Sequence, residues 1–168
     1  ANFLSTPWPI PTRSPARSVE RGLRWRNRSM KILFSILEKY SHGEFDYNKG
    51  DKLNEKSNKV PNEHGVYIIF KNKTTFENIL YIGASGKIKQ NGSFPKQALR
   101  ERINNKQNGK KRQQYFEESI VGDIHKLVIQ WFQTKDTQFI DLPLYVEACL
   151  IQEYYLKKGK LPLWNREF

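Results

Sequence analysis

The clearest pattern of apolar and polar positions lies in the middle of the chain. Gly65-Val66-Tyr67-Ile68-Ile69-Phe70 is a continuous apolar run, and Leu80-Tyr81-Ile82-Gly83 is a second. The polar stretch from Lys71 to Asn78 separates them as a turn does. Val, Ile, Tyr and Phe favour strands, so the spacing predicts a β-hairpin with a tyrosine on each strand. Upstream, Ile32, Leu33, Ile36, Leu37 and Tyr40 recur at helical spacing behind Ser29, a good N-cap residue. This predicts a helix from Ser29 to Tyr40. Ser41 to Pro61 is polar, carries Gly43 and Gly50, and reads as a loop or linker.

Downstream of the hairpin, Ala84 to Pro95 reads as a basic loop with glycines at 86 and 92. A helix is predicted from Lys96 to Lys106, with Ala98, Leu99 and Ile103 apolar. Gln107 to Arg112 reads as a basic turn, and Gln113 to Val121 as a second helix with Tyr115, Phe116 and Ile120 on one side. Lys126 to Gln133 is β-branched and aromatic, and predicts a third strand. Pro143 suits a first helical turn, Leu144 to Lys157 is periodic, and Gly159 is a C-terminal stop. No internal repeat interrupts this order.

Composition narrows the partners. The 168 residues carry a formal net charge of +12, which favours a polyanion. Nucleic acid is the first candidate and an acidic membrane surface the second. No apolar run approaches the ~18 residues of a membrane span, and no secretory signal pattern opens the chain. The single cysteine, Cys149, falls in an apolar helical run and reads as a buried small hydrophobe suited to a reducing cytoplasm. Three scattered histidines and one cysteine assemble no zinc site. Residues 1–29 hold Pro7, Pro9, Pro11 and Pro15, and every basic residue there is an arginine. They read as a basic arm for phosphates, or as residues preceding a natural start at Met30.

Several short stretches share one resemblance. Gly65-Val66-Tyr67 and Tyr81-Ile82-Gly83 resemble the paired motifs of the GIY-YIG nuclease superfamily. Leu99-Arg100-Glu101-Arg102-Ile103 resembles its arginine helix, Val146-Glu147-Ala148-Cys149-Leu150-Ile151 its glutamate helix, and Leu161-Pro162-Leu163-Trp164-Asn165 its closing Pro-x-x-Asn. The similarity spans Gly65 to Asn165. It implies an α+β fold: a small three-stranded, mainly antiparallel sheet flanked by helices, in the order β-β-α-α-β-α. The N-terminal helix and linker (30–62) and the arm (1–29) would precede a nuclease domain at 63–168.

The resemblance also implies the chemistry. The expected activity is divalent-metal-dependent hydrolysis of DNA phosphodiesters, as a restriction-type or small stand-alone enzyme, leaving a 5′ phosphate; the choice between DNA and RNA is open at this point. Glu147 would hold Mg2+ or Mn2+; a lone carboxylate with water and phosphate suits a single hydrated Mg2+ rather than a two-metal centre. Arg102 would bind a nonbridging phosphate oxygen, since it stands three residues after Leu99. Tyr67 is the expected base, with Tyr81 as the alternative. Lys106 stands where several family members carry a histidine, and is a poorer proton relay near neutral pH. His64 precedes the first motif as a lone, exposed histidine. Asn165 would orient backbone by hydrogen bonds. Arg100, Lys87, Lys89, Lys110, Lys111 and Arg112 are expected nucleic-acid contacts. The same residues leave two alternatives: a non-catalytic nucleic-acid-binding module, and a structure-specific DNA-repair or RNA-processing nuclease. Each chain would hold one active site, as a monomer or a homodimer.

Overall fold

The computed structural model describes residues 30–94 and 97–168. The expected arm at 1–29, the cap Ser29, and the junction of loop and helix at Pro95 and Lys96 lie outside the described residues. In chain order the elements are β1 (Ser41–Asn48), α1 (Leu53–Lys56), β2 (Gly65–Lys71), β3 (Ile79–Ala84), α2 (Leu99–Asn104), β4 (Lys106–Gln107), β5 (Lys110–Lys111), α3 (Arg112–Ser119), β6 (Lys126–Gln133) and α4 (Pro143–Lys158). The fold is α+β. Its main sheet has four antiparallel strands in the order β1-β6-β2-β3, and β4 and β5 form a separate miniature hairpin.

Strands β2 and β6 are central, with helices or chain segments against both faces. That is why β2 reads as a continuous apolar run instead of an alternating one. Val66, Ile68, Phe70, Val128 and Phe132 look toward one layer, formed by Val146, Leu150, Ile151 and Tyr154 of α4 with Phe34, Leu37 and Tyr40. Tyr67, Ile69, Leu127 and Ile129 look toward the other, formed by Leu99, Ile103, Phe116, Ile120, Leu53 and Trp164. α4 follows its pattern closely: Pro143 occupies its first turn, and Gly159 closes it at φ 68°, a left-handed conformation that glycine adopts without strain.

Two expectations fail on the N-terminal side. The fourth strand is β1, where a loop was expected. Phe45 and Tyr47 alternate inward, while Asp46 bonds Lys126 at 2.5 Å and Glu44 accepts from Gln130 at 3.0 Å on the opposite face. An edge strand with one polar face has too few apolar residues to look like a strand. Gly43 lies opposite Trp131, where a Cβ would stand 2.6 Å from the indole. It marks a close approach, not a turn. The predicted helix ending at Tyr40 is extended chain with one 3-10 turn, Ser35–Leu37. No side-chain cap holds that turn, and the Lys31 carbonyl accepts from the Gln130 amide at 3.1 Å. The sheet thus takes a backbone group that a helix would have paired internally. Tyr40 and Lys39 fasten the segment to Asp141 at 2.6 and 2.7 Å.

Strand β3 is the far edge, and its outward backbone groups are covered. Leu80 O accepts from Trp164 N at 2.8 Å. Asn165 accepts from Ile82 N at 3.0 Å and donates to Ile82 O at 2.8 Å. The C-terminal tail therefore closes an edge that would otherwise be open to another strand.

Candidate functional site

The outer edge of β3 is where the two layers meet. α4 brings Glu147 from one face of the sheet, α2 and α3 bring Arg102 and Arg112 from the other, and the tail brings Asn165. Two adjoining clefts share Arg102 and Glu147 as walls. One, of about 460 Å³, is completed by Ala84, Gly86, Lys87, Gln97 and Leu144. The other, of about 270 Å³, is rimmed by Tyr81, Lys106, Gln107, Asn165 and Arg166, with Arg112 at its back.

Glu147 is the carboxylate between them. Burial pushes its pKa up to about 7; Arg102, the Ala84 N–H and Lys87 pull in the other direction without prevailing. Arg102 is half-buried, and its Nε has no hydrogen-bond partner among the described residues. A guanidinium beside the carboxylate at a shared cleft wall suits an oxyanion.

The two motif tyrosines differ in access. Tyr67 pairs with Gly83 across the hairpin, and Tyr81 with Ile69, so both rings lie on one face, 5.7 Å apart between centroids. Gly83 makes this possible: a Cβ there would stand 2.4 Å from the Tyr81 ring and 3.0 Å from the Tyr67 hydroxyl. Gly65 is needed for a different reason, since its Cβ would meet Phe132 O at 1.9 Å. Tyr67 is fully buried, whereas Tyr81 reaches the cleft. Burial raises the Tyr81 pKa strongly, and the neighbouring Tyr67 adds to the rise; Arg112 and Arg102 oppose it. Tyr81 is therefore a neutral phenol in the free protein.

Of the residues expected from sequence, Tyr81, Arg102, Lys106, Glu147, Asn165 and Lys87 line the clefts, and Tyr67 stands behind Tyr81. Others point elsewhere. Arg100 donates to Asn54 O at 3.2 Å, Lys110 pairs with Glu118, and Lys89 and Lys111 are exposed outside the clefts. Arg112 is a correction. The sequence reads it as the end of a solvated basic turn, but it opens α3 facing inward and is 1% exposed. Its Nη2 donates to the Tyr67 hydroxyl at 3.1 Å. The signal was present: Arg112, Phe116 and Ile120 recur at intervals of four, so they share one helical face. Gln107, which lines the second cleft, was also missed; neither atom of its buried amide has a partner among the described residues. His64 is half-buried, not exposed. Its ring stacks on Phe94 at 5.0 Å, and burial with nearby Lys135 lowers its pKa.

The donor set can be tested against a metal. Among the described residues no three His, Cys, Asp or Glu side chains gather. Glu147 is a hard oxygen donor at a cleft wall, held partly out of water and incompletely neutralised by Arg102. That fits a Mg2+-type cation, which keeps most of its water and needs only one or two protein carboxylates. Comparisons with protein-family models, curated proteins and solved structures found nothing that matches this chain.

Proposed function

We propose that this chain is a divalent-cation-dependent DNA endonuclease of the GIY-YIG type. The observation that carries the reading is the meeting of Tyr81, Arg102, Glu147 and Asn165 at one sheet edge, although they come from four separate stretches of sequence. A core role explains none of the first three, because each opens on the second cleft. The remaining motif residue, Tyr67, touches Arg112 behind them.

In this reading a phosphodiester lies along the edge of β3, attracted by Lys87 and Lys106 at the rim. Arg102 takes a nonbridging oxygen with its guanidinium, and its charge grows in value as the phosphorus gains negative charge. The tyrosine pair orients a water for attack at phosphorus; Tyr81, once its phenol proton has left to solvent, takes up the water proton as the P–O bond forms. The opposite P–O bond breaks, releasing a 3′ oxygen and leaving a 5′ phosphate. Glu147 would hold Mg2+ or Mn2+, which supplies Lewis-acid charge to the phosphoryl group and the leaving oxygen. Asn165 acts on the backbone: its two bonds to Ile82 fix the strand that carries Tyr81.

Plasmid incubated with protein and Mg2+ should be cut, EDTA should stop the reaction, and Glu147→Ala should abolish cutting while DNA binding persists. Binding without cutting in either Mg2+ or Mn2+ would replace this reading with a non-catalytic nucleic-acid module.

A further inference from the structure

Arg112 is a buried cation without a carboxylate. None of the ion pairs among the described residues includes it. Its Nε and Nη1 have no partner there either. Around the guanidinium stand the rings of Tyr81, Tyr67 and Phe116, at 5.4, 5.7 and 6.0 Å. Such cation–π contacts recover only part of the cost of taking a guanidinium out of water. The site therefore carries positive charge in advance of something negative.

The hydrogen bond fixes where. A guanidinium only donates and stays charged, so in the 3.1 Å contact the Tyr67 oxygen must accept. The Tyr67 proton then has to point away from Arg112, and the adjacent phenol is Tyr81. Arg112 itself is too buried to touch a substrate. We propose that Arg112 is a positioning residue for the tyrosine pair. It holds the Tyr67 hydroxyl as an acceptor on one side, and it sets a buried cation beside Tyr81, favouring the phenolate that must form, by loss of the phenol proton to solvent, before Tyr81 can accept a proton from the attacking water. The role in water activation rests on the nuclease reading; the coupling of Arg112 to the two phenols does not.

Other charges face the pair. Arg102 approaches from α2 and also favours ionised Tyr81. Lys106 and Glu147 lie across the cleft, with Arg166 and Glu167 of the tail at its mouth. All of these adjoin the space a substrate would occupy; Arg112 alone lies behind the rings.

The test compares the full chain with Arg112→Met and Arg112→Lys, after thermal melts verify that each folds. Cleavage rates should show a loss of about 10²-fold in kcat for Arg112→Met, the scale of a disabled proton transfer, with KM for DNA little changed. The rising limb of the pH profile should move to higher pH. Tyrosine ionisation, followed by near-ultraviolet absorbance, should also lose its earliest step to higher pH, and Arg112→Lys should restore part of each effect. A loss confined to KM, or a tyrosine titration superimposable on the wild type, overturns the assignment. Should the wild type cut no nucleic acid, the nuclease reading falls, and the titration still decides the role of Arg112. Should Arg112→Met fail to fold, a cycle of Arg112→Lys with Tyr67→Phe takes its place. The lysine should then cost less in the phenylalanine background, and equal costs overturn the proposal.

Discussion

Glu147 occupies a place where an ionised carboxylate is unfavourable, and this has a measurable sign. Its pKa rises from 4.5 to about 7 on folding. The folded protein therefore holds this proton more tightly than the unfolded chain. The associated stability is complete below about pH 4.5 and is lost as pH rises toward 7. In EDTA, Glu147→Gln should accordingly melt near the wild-type temperature at pH 4.5 and above it at pH 8. The difference at pH 8 is at most on the order of 3 kcal/mol. Identical melts at both pH values would show that Glu147 is not desolvated in the folded protein. Mg2+ at pH 8 should narrow the gap by stabilising only the wild type. The two arginines of α2 give a second test at this scale. Arg102 opens on both clefts, whereas Arg100 is engaged with Asn54 O. Arg102→Ala should lose at least roughly 10²-fold in kcat, as removal of a donor to developing charge does. Arg100→Ala should stay within a few-fold of the wild type, and equal rates for the two variants would refute the choice.

Elements were legible wherever they were apolar on both sides or strongly periodic. The hairpin of β2 and β3, the strand β6 and the helix α4 all follow their sequence patterns, because burial alone dictates those patterns. β1 was not legible: Glu44, Asp46 and Asn48 hide the inward Phe45 and Tyr47, and its register depends on β6, some 80 residues away. The segment before it misled in the opposite way, since Leu37 and Tyr40 carry helical spacing but are buried by packing on the sheet. In the site, motif residues could be read individually. Arg112 was missed because a basic run looks solvated; only its helical phase with Phe116 and Ile120 marks it as inward. The tail gives the prediction at this scale. Asn165→Ala removes both bonds to Ile82 and leaves an edge N–H and C=O to water. Each lost bond to a partly buried group costs about 1 kcal/mol, so a loss near 2 kcal/mol in denaturant melts is expected. Activity should fall further than stability, because Tyr81 rides on the same strand. An unchanged melt would mean that the tail does not hold β3.

The whole molecule offers one Arg102, one Glu147 and one Tyr81 opening on the same edge, with Tyr67 buried behind. In the proposed reading, one such site would hydrolyse one phosphodiester at a time. A double-strand break then requires either two subunits facing opposite strands or two successive nicks. Symmetric sites are met by symmetric dimers, and a dimer needs a face to spare. The apolar segment ending at Tyr40 offers no such face, because Phe34, Leu37 and Tyr40 are buried against their own sheet, and Lys39 and Tyr40 are tied to Asp141. That route to a dimer is closed. No helix among the described residues is long and apolar enough to cross a membrane. In the proposed reading the charge of +12 serves a nucleic-acid partner. Binding should be strongly salt-dependent, and cutting should begin with nicks. In a plasmid time course at limiting enzyme, supercoiled DNA should pass through an open-circular stage before linear product accumulates. Raising the salt should slow both steps together, because each needs a separate phosphate encounter. Direct conversion to linear DNA, with a dimer mass in light scattering, would establish a preassembled pair of sites and rule out sequential nicking by a monomer.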